Sequence, residues 1–188
     1  MISFGANGLF GVLIQEIIMH VLIHCKLLER NLNFFLVTDI NTVSNYCSGE
    51  EYLLSISRLH IDEMIAHALD EHPNECCGVL VGVDDVVSNL YRITNKAASS
   101  YRYLMDPQEF LEVDQESEKK GQEILAFYHS HTHSDAYPSQ TDVRMALESG
   151  WLDVYYVLVS LMDKVKPDIR AFHINDDGNI VEENIVHL

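Results

Sequence analysis

The sequence predicts an α/β (α+β) domain, and three observations carry that prediction. Short apolar runs of strand length recur from residue 77 onward. Between them lie windows with helical spacing, opened by cap residues and closed by Gly or Pro. The two kinds of segment interleave along the chain, which is the pattern of helices packed on a sheet.

The elements follow in order. Ser57 predicts a helix N-terminus, with Ile61, Met64, Ile65, Ala68 and Leu69 on one face, and Pro73 stops the helix. Residues 77–82, CGVLVG, read as a short buried strand. Residues 86–93, VVSNLYRI, read as its hairpin partner across Asp84-Asp85. Asp106-Pro107-Gln108-Glu109 places an acceptor at the cap, Pro at the first helical position and Glu three residues past the cap, and the helix runs to about Gly121. Residues 124–131, ILAFYHSH, form a strand. Ser139 starts another helix, which ends near Gly150. Residues 154–161 and 169–174 are further strands, and residues 179–186 complete a final hairpin after Asp177-Gly178.

The patterned domain is assigned to residues 56–188, and residues 1–55 to an N-terminal extension. Leu9 to Leu28 is apolar, but Gln15, Glu16, His20, His24 and Lys26 interrupt it, and charges inside a spanning helix are costly. It shows neither the basic lead nor the small-residue cleavage site of an export signal. A membrane role is therefore not expected. The segment reads as a helix added to the domain or as residues ahead of the natural start. Residues 31–55 show no clear period, and NYCSGEE (45–51) reads as a linker.

The net charge of −17 argues against a nucleic-acid partner, which would need clustered Lys and Arg. Cys25, Cys47, Cys76 and Cys77 include no Cys-x-x-Cys pair and make no disulfide framework, so a cytoplasmic setting is expected.

The chemistry concentrates in FYHSHTHSDAYPSQTD, residues 127–142. Residues i and i+2 of a strand face one side, so His129 and His131 can share one ion at a strand end. Asp142, eleven residues beyond His131 on the first turn of a helix, is a candidate third ligand. Two histidines and a carboxylate leave a fourth position open, the catalytic pattern for zinc. Each half of the motif has a plainer reading. Ser139-x-x-Asp142 is close to a capping box, and His131 with His133 is an equally spaced pair. The apolar run ends at Tyr128, which favours His129 and His131 and leaves His133 in a loop. His20 and His24, the near-motif HALDEH (67–72), and His60, His173 and His187 read as packing or surface residues. A hydrolytic zinc also needs a base. Glu75 directly precedes a buried strand, where a charge is costly unless it faces a polar cleft. After Pro73 it reads equally well as an exposed loop residue.

His129-Ser130-His131, seven residues, then Ser139-x-x-Asp142 resembles the signature of the JAMM metalloproteases, the catalytic branch of the MPN (JAB) domain family. HPNECCGVLVG (72–82) resembles the segment that carries that family's catalytic glutamate, and the likeness spans residues 57–186. Thr132 stands where many eukaryotic members have Pro, a departure shared with short bacterial members that release cysteine from a sulfur carrier protein. The resemblance implies a curved mixed β-sheet flanked by helices. It implies Zn2+ on His129, His131 and Asp142, with Glu75 as general base and Ser139 as oxyanion donor. It further implies an amide substrate at the C-terminal tail of a ubiquitin-like sulfur carrier, with specificity residing in residues 83–106. A protease for other protein conjugates and a silent scaffold are the competing implications.

Overall fold

β-Branched and aromatic runs build seven strands among residues 53–188, the residues described in this computed structural model. The expectations for residues 1–52, including the apolar stretch Leu9–Leu28, His20 and His24, lie outside the described residues.

In chain order the elements are β1 (Leu53–Ile56), α1 (Arg58–Glu71), β2 (Cys77–Val83), β3 (Val86–Ile93), α2 (Pro107–Lys119), β4 (Glu123–His131), α3 (Gln140–Ser149), β5 (Tyr155–Ser160), β6 (Asp168–Ile174) and β7 (Ile180–His187). The sheet is mixed and closes into a barrel in the order β1-β3-β2-β4-β5-β6-β7. Parallel pairing of β1 with β7 completes the ring.

Local chemistry explains the elements. Asp84 and Asp85 both take positive φ in the two-residue β2–β3 turn, as the favoured hairpin turns require. Ser57, Asp106 and Ser139 cap the three helices with side-chain oxygens, as their sequences predict. Gly150 ends α3 in the left-handed region.

The strand β1 was not legible. It lies in the stretch without a clear period, yet Leu54 and Ile56 are completely buried. Its four residues are too few to show alternation, and its burial comes from closing the barrel. On α1, Ile61, Met64 and Ala68 are buried as expected, while Leu69 is 41% exposed at the margin of the apolar stripe.

The core joins Leu54, Ile56, Met64, Leu80, Tyr128, Val157 and Val159. Tyr128 is fully buried in it, and its hydroxyl lies 2.9 Å from Nδ1 of His67. A Cβ at Gly78 would collide with the Tyr128 ring and the Tyr91 carbonyl, so the position requires glycine. Burial is the main force holding His67 near pKa 4 and hence neutral. The first histidine of the HALDEH near-motif, His67, is thus a buried packing residue.

The strands β4 and β5 are parallel and joined by a crossover through α3. Open ends of such strands are the usual sites for bound groups. The polar end of β4, the start of α3 and the entry to β2 meet there. Among the described residues no helix is long and apolar enough to cross a membrane.

Candidate metal centre

The β4 strand is apolar from Ile124 to Tyr128 and polar from His129 to His131, yet the polar end is as buried as the apolar part. Burying polar groups without partners is costly. The arrangement of their atoms shows how this end is satisfied.

His129 and His131 point to one side of β4, with their Nε2 atoms 3.2 Å apart. Two imidazole nitrogens this close either share one proton in an N–H···N hydrogen bond or, both unprotonated, face a common positive centre. Asp142 closes the group. Its Oδ1 lies 3.5 Å from His129 Nε2, and its Oδ2 lies 3.4 Å from His131 Nε2. Ligand atoms 2.0–2.1 Å from a tetrahedral zinc stand about 3.3 Å apart. The two imidazole nitrogens stand at that spacing, the carboxylate faces each of them through a different oxygen, and ligand atoms of the three buried residues all lie within 4.8 Å of one another, close enough to hold one ion.

The protonation states of His129 and Asp142 fit as well. Complete burial holds His129 below the ordinary histidine range, so it stays neutral. Burial opposes the charge on Asp142, but His129, His131 and Ser139 outweigh it and hold the carboxyl well below its usual range. Burial also opposes a charge on His131. Asp142, the Asp135 carbonyl and Glu75 outweigh it and raise the pKa, which marks a place where positive charge is welcome. A neutral imidazole beside an ionised carboxylate is the donor set that a divalent ion requires.

Asp142 owes its position to the helix cap. Its Oδ2 accepts from the Ser139 backbone N–H at 2.7 Å, while Ser139 Oγ accepts from the Asp142 N–H at 3.2 Å. This full capping box fixes the carboxylate at the first turn of α3. Ser139 is exposed.

Glu75 reaches the same place through register. Cys77 pairs with His129 in the antiparallel β2–β4 ladder. The ladder continues as the Cys76 N–H donates to Ser130 Oγ at 2.8 Å and the Ser130 N–H donates to the Cys76 carbonyl at 3.1 Å. One further step sets Glu75 opposite His131, and opposed residues share a face. Glu75 is 5% exposed. Burial first, then the Asp142 charge, push its carboxyl up to about 7, against the pull of His131. A carboxylate near neutrality can both take and return a proton.

His133 lies apart. It is exposed and sits against Tyr101, with ring centroids 5.4 Å apart. Two other residues at the site were assigned no role from the sequence. Ser130, between the two histidines, ties β4 to Cys76. Tyr103, 8% exposed, stacks on His129 with centroids 4.5 Å apart. Its only hint was the aromatic content of SYRYLM (100–105).

Residues 57–175 match the model for prokaryotic homologs of the JAB domain. The chain is similar to the CysO-cysteine peptidase of Mycobacterium tuberculosis, 38% identical over 139 residues that cover 73% of this chain and 92% of the relative. It is similar to a desampylase of Haloferax volcanii, 33% identical over 57% of this chain and 80% of the relative. Among solved structures, a protein of Desulfitobacterium hafniense superposes with a TM-score of 0.63 at 33% identity, covering 73% of this chain and 93% of that one.

Proposed function

The chain belongs to the family of prokaryotic homologs of the JAB domain, a JAMM/MPN-type protein, and from that premise we propose a zinc metallopeptidase. Its substrate is the C-terminal tail of a ubiquitin-like sulfur carrier protein, from which it hydrolyses an amide-linked cysteine or another adduct. The similarity to the CysO-cysteine peptidase supports that substrate class and a place in sulfur and cysteine metabolism. The cytoplasm suits the reaction, since Cys76 and Cys77 are free thiols.

The observation that carries this reading is the convergence of His129 Nε2, His131 Nε2 and the Asp142 carboxylate at 3.2–3.5 Å. These three residues would hold the zinc. When bound there, zinc would supply Lewis acidity toward the scissile carbonyl and would lower the pKa of the attacking water. Glu75 removes a proton from that water as the water oxygen adds to the amide carbon. The Ser139 hydroxyl donates to the oxyanion that develops, while its oxygen stays anchored in the cap. Glu75 then delivers the proton to the leaving nitrogen as the C–N bond breaks. The products are a carrier carboxylate and a free amine. Glu75 thus serves as base and then as acid, a sequence suited to a carboxyl whose pKa burial has raised to about 7.

The test uses a ubiquitin-like sulfur carrier with cysteine on its C-terminus, followed by mass spectrometry with and without a chelator. The expected result is loss of one cysteine residue, stopped by the chelator and restored by zinc. A carrier adduct left intact by zinc-loaded protein would overturn the substrate assignment.

A further inference from the structure

The two histidines of the proposed zinc site are oriented by different means. Nδ1 of His131 lies 2.9 Å from the Asp135 carbonyl and 3.1 Å from Ser134 Oγ. That contact turns Nε2, with its lone pair, toward the centre. Metal-binding histidines almost always have the second ring nitrogen tied in this way. His129 does not. It is completely buried, and its Nδ1 meets no hydrogen-bond partner among the described residues.

Tyr103 lies against His129 instead. The ring planes are 30° apart at a centroid distance of 4.5 Å, and both rings are buried. Tyr103 belongs to the connection 94–106, which is tightly held. Asn95 Nδ2 donates to the Glu75 carbonyl at 2.8 Å and to the Arg102 carbonyl at 3.3 Å. Asn95 Oδ1 accepts from the N–H groups of Ala97 and Leu104. The Ser99 carbonyl accepts from the Glu75 N–H at 2.9 Å, and the Ser100 carbonyl accepts from Thr132 Oγ1 at 3.0 Å. One connection therefore grips the backbone of Glu75, grips the residue after His131, and lays a flat ring on His129.

We propose that Tyr103 is a positioning residue of this centre, its ring setting the plane of His129 where no hydrogen bond to Nδ1 does so. The inference rests on the zinc-site reading above and deepens it. The ring is the part that matters, because stacking fixes a plane while the phenol oxygen touches neither imidazole nitrogen through a hydrogen bond.

The experiment measures zinc affinity by chelator competition, and the absorption bands of the cobalt-substituted protein, for wild type, Tyr103→Phe and Tyr103→Leu. Tyr103→Phe keeps the ring, and both readouts stay at wild-type values. Tyr103→Leu loses about 10–100-fold in zinc affinity, the range typical of lost ligand support, and its cobalt bands move. A purely structural role would lower the melting temperature of the metal-free protein and leave affinity and bands of the folded protein in place, so that result overturns the inference. A second measurement needs no substitution: ring-proton resonances of His129 in the zinc-loaded wild type lie upfield of those of His131, because Tyr103 covers that ring. Equal shifts for the two rings overturn the inference even if Tyr103→Leu does not fold. A wild type that binds no zinc defeats the site reading itself, whereas a zinc-binding wild type matched by Tyr103→Leu defeats only the role of Tyr103.

Discussion

The connections 132–139 and 94–106 flank the same strand end, and each holds one of its histidines by a different force. The first uses directed hydrogen bonds: the Asp135 carbonyl lies within bonding distance of His131, and the Ser139 cap fixes Asp142. The second uses packing: the Tyr103 ring covers His129, while backbone carbonyls of the connection grip Glu75 and Thr132. A hydrogen-bonded anchor is local and leaves a motif in the sequence. A packed anchor depends on distant segments meeting, and it leaves almost none. The difference also separates the expected defects, since loss of an anchor affects metal binding, turnover or stability according to which group is lost.

Asp142 is the residue that both histidines share, so its loss should have the largest effect. For Asp142→Ala we expect zinc affinity to fall by more than the roughly 100-fold ascribed to outer-shell changes, with no measurable turnover. Metal analysis after dialysis checks it. Glu75→Gln comes next. It should keep zinc at the wild-type level and lower kcat by about 10²–10⁴-fold, as measured on the cysteine-bearing carrier. A near-normal rate would assign the base to another group. Ser139→Ala should lower kcat by about 10²–10³-fold through the lost oxyanion donor. It should also cost α3 about 1 kcal/mol of capping, visible as a lower melting temperature.

A smaller effect concerns stability alone. The carboxyl of Glu75 titrates at about 7 in the fold against an ordinary 4.5, with burial as the main cause. The folded metal-free protein therefore holds a proton that the unfolded chain gives up. The contribution of Glu75 to stability therefore falls as pH rises from about 4.5 through 7. Glu75→Gln removes that loss. The melting temperature of chelated Glu75→Gln should match wild type at pH 4.5 and exceed it at pH 8. A gap that does not change with pH would contradict the assignment of the shift. Smallest is His133→Ala. His133 is exposed and lies against Tyr101, so zinc content should not change, and loss of zinc would reopen the choice of ligand pair.

Legibility followed the same division. The capped helices, the Asp84-Asp85 hairpin and the polar end of β4 were readable because each rests on neighbours within a few residues. The strand β1 was not, because Leu54 and Ile56 gain their burial from pairing with β7, about 130 residues away. Glu75 stood open between a cleft and a surface loop; the fold buries it beside the end of β4, where the charges of His131 and Asp142 act on it. Resemblance to the JAMM signature supplied its role; spacing alone did not. Leu69 was misplaced by a stripe drawn slightly too wide. Tyr103 and Asn95 lie in no motif, and the contacts that tie them to the site, with His129 and with the Glu75 carbonyl, come from distant segments.

The most direct measurement is the zinc content of the purified, zinc-loaded protein after dialysis, compared with Asp142→Ala. The wild type should hold about one zinc per chain and the variant close to none, with both proteins folded. Equal zinc in the two, or none in the wild type, would contradict the claim that His129, His131 and Asp142 form the catalytic metal centre.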